Sequence, residues 1–138
     1  MDLGVKGLKA IILGGSRGMG WYTGELLRRE GADVAFCARG AEGVEAAADK
    51  LRAIGPGTVY GAAANLENGE ETRRFCRDAI AALGGCDILI HNASGFDLTG
   101  GEDGWMRSFQ VDMMAGVRAV EECEAALEAS GQGSITFI

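Results

Sequence analysis

The sequence predicts a doubly wound α/β fold on a parallel sheet of five strands. Three observations carry that reading. Short apolar runs alternate with longer amphipathic stretches, 23 glycines stand against one proline, and several of those glycines fall between the first strand and the first helix. Many glycines with almost no proline suggest tight strand-to-helix turns rather than disorder.

The apolar runs fall at 8–13, 34–38, 58–62, 88–91 and 135–138, each short and rich in β-branched or aliphatic residues. Helical stretches lie between them. The first runs from Gly18 to a stop at Gly31; the second, over 41–54, is rich in Ala and Glu and ends in "GPG". The third, over 69–83, puts Phe75, Ala79, Ile80 and Leu83 on one face. The fourth, over 102–130, is expected to put Trp105, Phe109, Met113, Val120 and Leu127 on its core face. Strand–helix alternation of this kind makes βαβ units, whose right-handed crossovers cover both sheet faces with helices. No repeat or linker marks a second domain, so 1–138 reads as one domain with a core of its own.

Charge and cysteine usage narrow the function. A net charge of −7 disfavours nucleic-acid and anionic-membrane partners, so any phosphate must be held by a few local groups. No apolar run reaches membrane-spanning length, and the N-terminus lacks the apolar core of a signal peptide. Cys37, Cys76, Cys86 and Cys123 are widely spaced and share the chain with one histidine. No metal site is expected, and reduced thiols in a cytoplasmic protein are the simplest reading.

The chemistry concentrates in "LGGSRGMGWYTGELL". Gly14, Gly18 and Gly20 stand at the turn from strand to helix, with Ser16, Arg17 and Met19 between them. Glycines there permit positive φ, close approach of the backbone to a pyrophosphate and tight packing of helix on strand. The helix N-terminus beyond offers free N–H groups and a partial positive charge.

The spacing G-x-x-x-G-x-G, followed in order by "GADVAFCAR", "NLEN" and "DILIHNAS", resembles the short-chain dehydrogenase/reductase family over the whole chain. The resemblance implies a Rossmann-like sheet of order 3-2-1-4-5, hydride transfer between nicotinamide and a carbonyl or alcohol substrate, and a homo-oligomer (dimer or tetramer) when complete. In that family a catalytic serine follows the fifth strand and a Tyr-x-x-x-Lys pair lies on the next helix. Here Tyr22 and Tyr60 are followed four residues on by Leu26 and Ala64, so neither is that pair. The chain reads as the cofactor-binding portion, truncated before the catalytic Ser, Tyr and Lys. On such a chain the fifth strand would lack its covering helix, leaving Ile135 and Phe137 incompletely hidden.

The second strand ends "FCARG", without the acid that unphosphorylated cofactors use to hold ribose. Arg39 at its tip and Arg17 in the glycine loop are similar to the basic pair of the family's NADP-preferring members, so NADP(H) is expected over NAD(H). The missing acid also disfavours a methyltransferase. Asn65-Leu66 stands where the family places Asp and an aliphatic residue at the adenine. Asn92-Ala93-Ser94 matches the Asn-Ala-Gly stretch lining the ribose, with Ser94 in place of glycine. His91 reads as a strand-end residue rather than a catalytic base. Asp112 lies beside the apolar stripe of the fourth helix, at the place of the family's helix asparagine, and is the catalytic candidate. Trp105, Met106 and Met114 are candidates for subunit contact. The alternative function is a non-catalytic NADP-binding or regulatory module.

Overall fold

A computed structural model describes residues 1–138. Its five strands are β1 (Lys9–Leu13), β2 (Asp33–Ala38), β3 (Val59–Ala63), β4 (Ile88–His91) and β5 (Ser134–Phe137). They form one parallel sheet in the order β3-β2-β1-β4-β5. The helices are α1 (Gly18–Arg29), α2 (Ala41–Arg52), α3 (Gly69–Leu83), α4 (Gly101–Ser108) and α5 (Ala115–Ser130), with a π-helical segment, Phe109–Met114, joining the last two.

The side-chain period of two sorts the sheet into two cores. Ile11, Leu13, Ala35, Cys37 and Leu89 face α3 and α5, where Phe75, Ala79, Ala119 and Cys123 complete the cluster. Ala10, Ile12, Val34, Phe36 and Ile90 face the other way, against Leu27, Val44, Ala48 and Leu51 of α1 and α2. This is the doubly wound sheet expected from the alternation of elements, in the Rossmann-like order implied by the family resemblance. The third helix also matches its predicted face, with Phe75, Ala79 and Leu83 buried and Ile80 packed against them. Asn68 caps α3, its Oδ1 accepting from the amides of Glu70 and Glu71, and Gly84 ends that helix in the left-handed region.

The fourth helical stretch departs from expectation. Trp105, Phe109 and Met113 point outward at 77%, 49% and 52% exposure, while Val111, Ala115, Ala119, Cys123 and Leu127 are buried. The cause is the π-helical segment. Its wider turn advances fewer degrees per residue, so a stripe drawn with α-helical periodicity across it loses phase. Leu127, beyond the segment, stays on the core face as predicted.

A buried cation went unnoticed in the sequence. Arg28 of α1 is 3% exposed and donates to the carbonyls of Ala32 and Gly55 (both 2.7 Å), Pro56 (2.9 Å) and Leu51 (3.4 Å). It thereby fixes the turn from α2 into β3 through the carbonyls of Gly55 and Pro56.

Candidate functional site

Above the C-terminal ends of β1, β2 and β4 lies a groove of about 660 Å³, lined by segments of the glycine loop, the β2 tip and the loops after β3 and β4. Strand order reverses at β1, which places the groove at the switch point of the sheet, where doubly wound folds bind ligands.

The glycine loop is held from below. The amides of Gly14 and Gly15 both donate to Cys37 O at 3.0 Å, and Asn92 Nδ2 donates to Gly14 O at 2.8 Å. Gly14 has φ +87°, and a Cβ there would stand 2.8 Å from Ala93 Cα. A Cβ on Gly20 would strike Gly14 O and approach Asn92 Nδ2 to 2.6 Å. Gly14 is therefore required by packing as well as by turn geometry, and Gly20 by packing. Gly18 differs: its φ is +58°, and a Cβ would meet nothing within 4 Å. It borders open groove, where a ligand can approach the backbone.

The N-terminus of α1 faces that space without a side-chain cap and without an acid in its first turn. Its first amides and its partial positive charge remain available to an anion. α3, capped by Asn68 and carrying Glu70 and Glu71, shows the contrast.

Three arginines line the groove, Arg17, Arg39 and Arg107. Arg107 is engaged by carboxylates, pairing with Asp97 and, at 3.3 Å, with Glu67. Arg17 and Arg39 take part in no ion pair. Both are exposed, Arg17 in the glycine loop and Arg39 directly after β2. The nearest acid in sequence, Glu42, is not among the lining residues.

The remaining candidates divide. Ser16, Met19, Asn65, Leu66, Asn92, Ala93 and Ser94 all line the groove, whereas Gly20 packs beneath it. Asn65 Oδ1 accepts from the amide of Glu67 at 3.1 Å, so one of its lone pairs is already used in shaping the loop. Asn92 Oδ1 is a buried acceptor without a partner, on a residue that lines the groove. Such an orphaned oxygen fits a ligand hydroxyl. Ser94 needs no positive φ, since Phe96 is the single non-glycine with one; the serine Oγ instead accepts from the Phe96 amide at 3.1 Å.

Asp112 does not line the groove. It is exposed, and its Oδ2 accepts from the amide of Gly95 at 3.0 Å, anchoring the loop after β4 that does. His91 is buried at the tip of β4 beneath that loop, as a strand-end residue should be. Gly116 lets α5 settle there, since a Cβ would strike the Phe137 ring and stand 2.8 Å from His91 Cδ2. Sequence reasoning missed Gly95, Glu67, Asp97 and Arg107. The spacing between Glu67 and Arg107 carries no local signal, because only the fold brings their loops together.

Cys37 lies beneath the loop and reacts poorly by position: burial pushes its thiol up to about 12, against a smaller lowering by its bond with Gly14. Cys76, Cys86 and Cys123 are equally enclosed in the α3–α5 core. No group of His, Cys, Asp or Glu side chains is arranged to hold a metal ion. No helix is long and apolar enough to cross a membrane.

A doubly wound sheet with a glycine-rich strand-to-helix turn, an uncapped helix N-terminus and a groove at its switch point has the form in which Rossmann-like folds bind dinucleotides. The short chain dehydrogenase family model matches residues 8–138, and the chain belongs to that family of oxidoreductases. It is 31% identical over 143 aligned positions to isoepoxydon dehydrogenase patN of Penicillium expansum, covering 98% of this chain and 53% of that protein. It is also 31% identical to the uncharacterized oxidoreductase YvrD of Bacillus subtilis, covering 100% of this chain and 53% of the relative. Among solved structures, L-sorbose reductase from Gluconobacter frateurii, complexed with NADPH and L-sorbose, superposes with a TM-score of 0.89 at 28% identity, covering 98% of this chain and 53% of that one. A short chain dehydrogenase from Burkholderia cenocepacia in complex with NADP gives 0.83 at 28% identity, over 89% of this chain and 52% of that one. The chain spans about half the length of the relatives it matches.

Proposed function

We propose that the chain is the nucleotide-binding portion of an NADP(H)-dependent oxidoreductase acting on a small carbonyl or alcohol substrate. The observation that carries the cofactor assignment is the pair of unpaired guanidiniums, Arg17 in the glycine loop and Arg39 directly after β2, with no acid at that strand's tip. Two NADP-containing structural relatives support it. The nicotinamide, when bound, supplies the hydride donor or acceptor.

The chain's own residues bind and orient. The α1 N-terminus and the backbone at Gly14, Ser16, Gly18 and Met19 receive the pyrophosphate, with Gly20 holding the turn. Arg17 and Arg39 clamp the 2′-phosphate through charge-assisted hydrogen bonds. Asn65 and Leu66 meet the adenine, and Asn92, Ala93 and Ser94 meet ribose, Asn92 through its orphaned Oδ1. Asp112 takes the place of the family's helix asparagine in the catalytic array, its serine and Tyr-x-x-x-Lys pair lying outside these 138 residues. The complete protein is a cytoplasmic homo-oligomer, dimer or tetramer. Trp105 and Met106, both exposed, are contact residues in that assembly.

Calorimetric titration with NADPH and NADH tests the reading; tighter binding of NADPH supports it, and equal affinities or a preference for NADH overturn the 2′-phosphate assignment. A second reading is a non-catalytic NADP-binding or regulatory module. The intact mass of the protein purified from its native source, with NADPH oxidation by that species on a panel of carbonyl compounds, separates the two.

A further inference from the structure

We infer that Arg107 is a positioning residue that ties the two walls of the groove together, an inference that rests on the nucleotide-binding reading above. Arg107 sits on the last turn of α4 and reaches two carboxylates from different loops. Its Nε lies 3.3 Å from Glu67 Oε1, one residue beyond Leu66 in the loop after β3. Its Nη1 pairs with Asp97 Oδ2, in the loop that carries Asn92, Ala93 and Ser94. One wall is the proposed adenine side and the other the proposed ribose side, and the guanidinium spans them.

Asp97 is built for this contact. Its side chain is 3% exposed and accepts from the Thr99 amide at 2.8 Å and from the Thr99 hydroxyl. Gly104, one turn before Arg107, leaves room for it: a Cβ there would stand 3.2 Å from Asp97 Cγ. The Thr99 hydroxyl and amide, with Arg107, hold the Asp97 carboxyl below its ordinary range. An enclosed carboxylate demands a partner cation, so Arg107 is fixed at one end and free to bridge at the other. A planar guanidinium can serve two carboxylates at once, whereas a lysine ammonium offers a single compact charge.

Glu67 and Arg107 also line a second, open depression of about 580 Å³, shared with Asp103, Met106, Gln110 and Arg118. The pair thus borders both spaces. With its charge met by two carboxylates, Arg107 sets the spacing of the walls and leaves phosphate to Arg17 and Arg39.

The test is a double-variant cycle on the protein, with calorimetric binding of NADPH and NADH as the readout. Arg107→Met and Glu67→Gln should each weaken both dinucleotides by about threefold to tenfold, in keeping with half-exposed ion pairs. The double variant should bind no more weakly than the worse single one, because both remove the same bridge. Arg107→Lys should fall between Arg107→Met and wild type, and the NADPH-to-NADH preference should stay constant throughout. Unchanged affinity in Arg107→Met, multiplying effects in the double variant, or loss confined to NADPH would each overturn the inference, the last by showing a direct phosphate contact. If Arg107→Met fails to fold, Glu67→Gln, at a side chain 38% exposed, decides alone. Binding of neither dinucleotide by the wild type overturns the nucleotide reading itself, and the inference with it.

Discussion

The Nε2–H of His91 donates to the main-chain oxygen of Asp112 across 3.0 Å, joining the tip of β4 to the π-helical segment. A carbonyl can only accept, so this bond places the ring proton on Nε2. Nδ1 is then a buried acceptor without a partner, and the ring meets Phe137 edge-on with centroids 5.3 Å apart.

This environment makes stability depend on pH. Burial, the largest effect, holds the His91 imidazole below its ordinary 6.5, although the carbonyls of Asp112 and Val111 pull the other way. The unfolded chain therefore takes up a proton before the folded chain does. The stabilisation is complete above 6.5 and is lost as pH falls toward the lowered folded value. His91 is the only histidine, so denaturant midpoints between pH 7.5 and 5.5 report on it cleanly. His91→Asn should flatten the slope; a slope unchanged by the substitution would assign the dependence elsewhere.

Asp112 serves the neighbouring loop through its carboxylate. Asn at this position retains an oxygen that can accept from Gly95, so Asp112→Asn should change stability by less than about 0.5 kcal/mol. Asp112→Ala should free the Gly95 amide and speed its hydrogen exchange. On the proposed reading, Asp112→Asn in the full-length protein should shift the pH profile of turnover, and an identical profile would overturn the proposed catalytic place of Asp112.

Cofactor selection and loop packing should respond to different substitutions. Arg39→Asp supplies the acid missing from the β2 tip and should reverse the preference from NADPH toward NADH, read from the ratio of dissociation constants. Gly20→Ala should weaken both cofactors together, because its Cβ drives into Gly14 O and pushes Asn92 from its anchor.

Arg28 should be one of the most sensitive positions outside the groove. Arg28→Met keeps much of the stem but removes every donor from the carbonyls of Ala32, Gly55 and Pro56. A loss of about 2–4 kcal/mol is expected from the denaturant midpoint, since buried groups left unsatisfied lose their full solvation. A loss below 1 kcal/mol would mean that water takes over the guanidinium's role.

The outer strand predicts self-association. Ile135 and Phe137 of β5 are 46% and 50% exposed, and β5 has β4 as its only neighbour in the sheet. Fully burying each side chain is worth about 1.5–3 kcal/mol, and the open backbone edge invites another strand. Sedimentation of the 138-residue chain should show concentration-dependent association. Phe137→Thr should reduce it, and a wild-type monomer at all concentrations would show that the exposed strand is tolerated.

The sequence by itself determined the strand–helix alternation, the sheet order implied by its family likeness and the position of the glycine loop. These follow from periodicity and turn chemistry, which act over a few neighbouring residues. The matching of Ile11, Leu13 and Ala35 to one face and of Ala10, Ile12 and Val34 to the other is the same local rule applied to the sheet. The phase of the fourth helical stretch was not legible, because an α-helical period cannot reveal where a π-helical turn intervenes. Nor were the carbonyl cluster around Arg28 or the bridge from Glu67 through Arg107 to Asp97. Those contacts join residues far apart in sequence, and hydrogen bonds and ion pairs of that kind exist only once packing has brought their partners within reach. Local chemistry chose the elements; tertiary packing chose which charges meet across the groove.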